Sequence, residues 1–162
     1  MKKNIIGIVI LLAALAVVGV LVSKSTAVPQ PQAAAASMIT ATEPTYDFGN
    51  ISMKKGNVSR EFLVKNTSTS PVMIEKLYTS CMCTNAQLRI GEKEYGPYGM
   101  PGHAAVPKVG TELLPGQEAT VTAIFDPAAH GPSGIGPVSR VVFLEDAAGG
   151  TLQLQFSANV TP

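Results

Sequence analysis

Cys81-Met82-Cys83 are the residues best suited to chemistry in this chain, and they include both of its cysteines. Two thiols one residue apart must be explained as a pair. Three readings are open. The first is a disulfide between them. Residues i and i+2 on extended backbone lie near the upper limit of the Cα separation a disulfide spans, so the chain would have to bend. A ring this small removes little chain entropy, so the bond would be a weak staple. The second is a soft-metal clamp. Two thiolates suit Cu(I) or Zn(II), and zinc sites more often show wider Cys spacing and four ligands. The third is a thiol–disulfide couple, since strained disulfides are the labile ones. Two small unmodified hydrophobes at a strand end would be the plain structural alternative.

Further donors could complete a metal site. Met100 and His103 fall in Met100-Pro101-Gly102-His103, where Pro and Gly suit a tight turn that presents thioether and imidazole together. Cys81, Cys83, His103 and Met100 are the expected ligand set, with Cu(I) the candidate ion. Met82 and His130 are additional donors, and His130 ranks below His103 as a ligand because it reads as a solvated loop residue. Tyr95 and Tyr98 are expected to pack their loop down. A Cys nucleophile would need a His base and an orienting third group. None of these stands out, the carboxylates are scattered, and no Gly-rich loop joins a strand to a helix. Enzymatic activity is not expected.

The elements around these residues are mostly short strands. Val58, Arg60, Phe62 and Val64 alternate with Ser59, Glu61, Leu63 and Lys65. Val72 to Tyr78 is a second stretch. Ala119, Val121, Ala123 and Phe125 follow the turn Pro115-Gly116. Val138 to Glu145 is strand-like. Leu152, Leu154, Phe156, Ala158 and Val160 place one apolar stripe on a last strand, because alternate residues of a strand share a face. The pattern predicts an all-β, immunoglobulin-like β-sandwich of about seven to eight antiparallel strands over residues 38–162. Asn66-Thr67-Ser68 reads as a turn held by side-chain hydrogen bonds. It also matches a glycosylation acceptor.

Upstream, Lys2 and Lys3 precede an uncharged run of 18 residues, Ile5 to Val22. As a helix it reaches about 27 Å, nearly the thickness of a hydrocarbon core. Residues 1–23 are expected to be a transmembrane signal anchor, and 24–37, with Pro29 and Pro31, a linker. The domain would then be extracytoplasmic on a single-pass membrane protein, or secreted if a peptidase cuts at Ser25-Thr26-Ala27 or the alanines 33–36. From Ser37 onward, nine Lys/Arg face eleven Asp/Glu, and Trp is absent. There is no basic stripe to bind nucleic acid. The expected partners are the membrane and an envelope protein.

Five segments in order carry a family resemblance over about Ile39 to Val160: Tyr46-Asp47-Phe48-Gly49-Asn50-Ile51, Phe62-Leu63-Val64-Lys65-Asn66-Thr67, Ser80-Cys81-Met82-Cys83-Thr84, Leu114-Pro115-Gly116-Gln117 and Phe125-Asp126. The chain resembles a bacterial family of uncharacterised immunoglobulin-like domains, related to the ASPM/SPD-2/Hydin type and more distantly to major-sperm-protein and PapD-like sandwiches. The resemblance implies the sandwich fold and no particular activity. Two departures stand out: Met82 occupies a position commonly Gly, and the stretch from Ile90 to Gly110 is longer than usual. The combined expectation is a non-enzymatic binding or scaffold module, with soft-metal binding and thiol redox as the alternatives.

Overall fold

The computed structural model describes residues 35–103 and 106–162. The expected anchor and most of the expected linker lie outside the described residues. Among those described, no helix is long and apolar enough to cross a membrane.

Eleven strands form two sheets among the described residues. They are β1 (Ala35–Ala36), β2 (Ile39–Ala41), β3 (Thr45–Ser52), β4 (Val58–Asn66), β5 (Val72–Thr79), β6 (Thr84–Ile90), β7 (Lys93–Tyr98), β8 (Thr111–Leu113), β9 (Glu118–Phe125), β10 (Gly136–Asp146) and β11 (Gly150–Thr161). One sheet runs β1-β11-β10-β5-β8, with β3 also paired to β11; the other runs β2-β4-β9-β6-β7. The all-β sandwich is thus the architecture found. The strand count exceeds the seven to eight expected, because β1, β2 and β8 are too short for a periodic signal. The pairing is not wholly antiparallel: β1 and β3 both run parallel to β11.

The apolar stripes read from the sequence face inward. Phe62 and Val64 of β4, Val121 and Phe125 of β9, and Leu154, Phe156 and Val160 of β11 share one core with Ile74, Leu77 and Leu144. Burying such side chains between two sheets is the main favourable contribution to folding. Phe48 joins this core through Phe156, with ring centroids 5.5 Å apart, and Phe156 meets Phe125 at 5.4 Å. Gly49 has φ +65°, and the β3–β11 register shifts beside it. The chain bulges there, in backbone that a Cβ disfavours.

Polar side chains close the turns. Asn66 is fully buried. Its Oδ1 accepts from the Ser68 N–H at 2.9 Å and the Ser68 hydroxyl at 2.8 Å. Its Nδ2 donates to the carbonyls of Ser70 at 2.9 Å and Leu113 at 2.8 Å, the latter in the opposite sheet. The stretch 90–110 is not one long loop, since β7 pairs with β6 there. Its burial barely alternates, as suits an edge strand, so no period of two marked it.

The linker expected over 24–37 gives way to sheet by Ala35, which pairs with Gly150. Ser37 donates its hydroxyl to Asp146 Oδ2 at 3.0 Å. Asp146 Oδ1 accepts from the N–H groups of Ala148 at 3.0 Å and Gly150 at 2.8 Å. A Cβ at Gly150 would overlap this carboxylate and lie 2.8 Å from Ser37 Cα. The arrangement fastens the start of the domain to the β10–β11 turn. In urea unfolding, Ser37→Ala is expected to cost about 1 kcal/mol and Asp146→Ala about 2–3 kcal/mol, the difference being the buried N–H groups left unpaired. Equal stability in all three proteins would contradict this account.

Candidate metal or thiol site

Cys81-Met82-Cys83 form the turn that carries the chain from β5 in one sheet to β6 in the other. The extended geometry considered for the pair does not occur, because the Thr84 N–H donates to the Cys81 carbonyl at 3.1 Å and closes the turn. The buried Thr79 hydroxyl braces it from inside, within 3.0 Å of the Cys81 carbonyl and 2.9 Å of the Thr84 carbonyl. The result is asymmetric. Cys83 is buried, Cys81 half-buried and Met82 50% exposed. Both thiols are free. The Cys83 N–H points at Cys81 Sγ, 3.5 Å away.

A second inter-sheet connection, from β9 to β10, passes over the same end. The pairing of Thr84 with Phe125 leaves Asp126 beside Cys83, and the Asp126 N–H donates to the Cys83 carbonyl at 2.9 Å. Asp126 Oδ1 then accepts from the Ala128 N–H at 2.8 Å, and the Gly131 N–H donates to the Ala128 carbonyl at 2.8 Å. These two bonds fold residues 126–131 back, so that His130 Nε2 lies 3.3 Å from Cys81 Sγ. The ligand atoms of Cys81, Cys83 and His130 all lie within 4.8 Å of one another. Arg140, near the start of β10, completes the site. Its Nε donates to Cys83 Sγ at 3.2 Å, and its Nη1 donates to the Ser139 carbonyl at 2.8 Å, which fixes the guanidinium.

The imidazole that joins the cysteines is therefore His130, not the favoured His103. His103 is exposed, and its N–H donates to the Met100 carbonyl at 3.2 Å. That bond makes the tight turn expected of Met100-Pro101-Gly102-His103. The cluster nevertheless forms without His103. Met100 is half-buried and follows Gly99, whose carbonyl accepts from the Thr79 N–H at 3.2 Å. Tyr98 is buried and the Tyr95 hydroxyl lies 2.9 Å from Thr111 Oγ1, so these tyrosines hold their segment down. Arg140 carried no sequence signal beyond a cation in a strand. A cavity of 330 Å³ adjoins the site, lined in part by His130, Ser133, Ile135 and Arg140. A larger one of 620 Å³ lies between the edges of β7 and β8, lined in part by Met73, Tyr95 and Leu114, and holds none of these ligands.

The two thiols differ in acidity. Burial pushes the Cys81 thiol up, but hydrogen bonds from Cys83 and His130 and the Arg140 charge outweigh it and bring it down to about 7. Burial, then the hydrogen bond it donates to Cys81, holds Cys83 above the ordinary thiol value against the opposing pull of Arg140. Of the pair, Cys81 therefore ionises first, and Cys83 keeps its proton to higher pH.

A model of a family described as "Protein of unknown function (DUF1573)" matches residues 39–97. The matched stretch takes in β2 to β7 and both cysteines, and stops short of His130 and Arg140. No curated relative matches the chain significantly. A protein of unknown function from Porphyromonas gingivalis W83 is similar in structure, with 12% identity, a TM-score of 0.54, and coverage of 82% of this chain and 51% of that one. The chain thus spans about half the length of that protein. PapD-like domain 7 of human CEP192 has a TM-score of 0.45 at 13% identity, covering 78% of this chain and 87% of that one. The YadV chaperone has a TM-score of 0.47 at 7% identity, covering 78% and 53%. At these identities the likeness to the Porphyromonas protein is one of fold alone, and the two lower scores add nothing to it. The comparisons support a fold shared with the Porphyromonas protein and a match of residues 39–97 to an uncharacterised family.

Alkylation of the reduced, metal-free protein, followed by peptide mass mapping, should find Cys81 modified with a midpoint near pH 7 and Cys83 modified only at higher pH. His130→Ala should move the Cys81 midpoint upward. The folded-state value of Cys81 lies below the roughly 8.5 of a free thiol. The stability it contributes is therefore present above that pH and lost as pH falls through about 7. Equal reactivity of the two thiols at pH 7 would overturn the assignment.

Proposed function

We propose that this chain is a membrane-tethered, extracytoplasmic immunoglobulin-like module that binds a soft monovalent cation, Cu(I), through Cys81, Cys83 and His130. One observation carries the reading: two thiols and an imidazole converge within 4.8 Å on two separate inter-sheet connections. Thiolate and imidazole are the donors that Cu(I) favours. Three ligands suit its low coordination number, whereas structural zinc takes four. The elements carrying the ligands are tied together by backbone bonds, so binding costs little reorganisation. Tethering rests on Lys2, Lys3 and the uncharged run Ile5 to Val22. A broader role as an envelope scaffold rests on the fold, whose edge strands β7 and β8 suit strand addition by a protein partner.

The unequal acidity of the two thiols favours a second reading, thiol–disulfide exchange. The Cys81 thiolate would attack one sulfur of a substrate disulfide and displace the other as a thiolate. Cys83, giving up its proton, would then attack Cys81 Sγ in the mixed disulfide and release the second substrate thiolate. The substrate would gain two electrons, and Cys81 and Cys83 would end as a disulfide.

Titration of the full chain with Cu(I) against a competing chelator should give one ion per chain. Cys81→Ser with Cys83→Ser should abolish binding, and His130→Ala should weaken it by about tenfold or more, as loss of a ligand does. His103→Ala should leave it unchanged. No binding by the reduced protein, together with an isolated mass low by two hydrogens, would overturn the metal reading in favour of exchange.

A further inference from the structure

Arg140 is the one cation in hydrogen-bond contact with this donor set among the described residues, and its place suggests a role. Its Nε–H meets Cys83 Sγ at 3.2 Å, and its Nη1 is held by the Ser139 carbonyl at 2.8 Å. The strand register puts it there: Val142 pairs with Thr79, and the Ser80 N–H donates to the Val141 carbonyl at 2.9 Å, so residue 140 comes beside the cysteine turn. The guanidinium is half-buried and stays protonated under all ordinary conditions. An arginine this close to a metal site is at first sight a repulsive element.

The charges resolve this. Two thiolates and a neutral imidazole carry two negative charges. A monovalent ion leaves one of them uncompensated, and Arg140 cancels it. A divalent ion already neutralises the donors, and Arg140 then leaves an excess positive charge at a half-buried site. Uncompensated charge is costly where water is partly excluded. The fixed N–H can remain on Cys83 Sγ after the sulfur has taken up an ion, as hydrogen-bond donors to bound ligands commonly do. On the reading that the cluster binds metal, we infer that Arg140 is a specificity-determining residue, which selects a monovalent soft cation over a divalent one by completing charge neutrality at Cys83.

The test measures Cu(I) and Zn(II) affinities of the reduced full chain by chelator competition, in the wild type and in Arg140→Gln, Arg140→Met and Arg140→Lys. The two neutral variants differ in polarity, so a folding defect in one leaves the other to report. In them, the preference for Cu(I) over Zn(II) should fall by about tenfold, the scale of one close charge at a partly buried site, through a rise in Zn(II) affinity relative to Cu(I). Arg140→Lys keeps the charge and should keep the wild-type preference to within about threefold, a change equivalent to well under one charge contact. A purely structural arginine would lower both affinities together, and that parallel loss, or no change in either, overturns the inference. Wild-type protein that binds neither ion overturns the metal reading itself.

Discussion

Antiparallel register at one end of the sandwich is the constraint on which the rest depends. The Asp126 N–H to Cys83 carbonyl bond extends the β6–β9 ladder by one step beyond the pairing of Thr84 with Phe125. The Ser80 N–H to Val141 carbonyl bond does the same for β5 and β10. Side chains alternate along a strand, so slipping either ladder by one residue would send the Cys83 or Arg140 side chain to the opposite face. The core enforces both registers, because the same slip would turn Phe125 or Val142 out to solvent. Packing deep in the domain thereby sets the distances among three polar groups at its end.

The backbone also makes two identical thiols unequal. A turn cannot treat its first and third residues alike. Here it tucks Cys83 under the β9–β10 connection, against Thr84 and Arg140, and leaves Cys81 outside beside His130. One sulfur faces a fixed cation and the other an imidazole. Metal binding and disulfide chemistry draw on the same asymmetry, and for that reason one cluster supports both readings.

The long strands were legible because each has one buried and one wet face: Phe62 and Val64 on β4, and Leu154, Phe156 and Val160 on β11. The very short strands and the edge strand β7 were not, because their residues do not alternate in burial. At the site, the cysteines and the tight turn at Met100–His103 could be read directly. The choice of histidine could not. His103 sits in a conspicuous Met-Pro-Gly-His segment, whereas His130 follows Phe125-Asp126, a pair that acquires meaning only once β9 is known to lie against β6. Which strands neighbour each other is a long-range property, and local periodicity carries no trace of it. Arg140 was hidden for the same reason.

Asn66 has a further consequence. All of its amide hydrogens and its oxygen are committed inside the protein, and one of those bonds crosses to the other sheet. The acceptor pattern Asn66-Thr67-Ser68 is thus shut once the chain has folded: a sugar there would have to be attached to the nascent polypeptide, and a chain so decorated could not seal its two layers together at that corner.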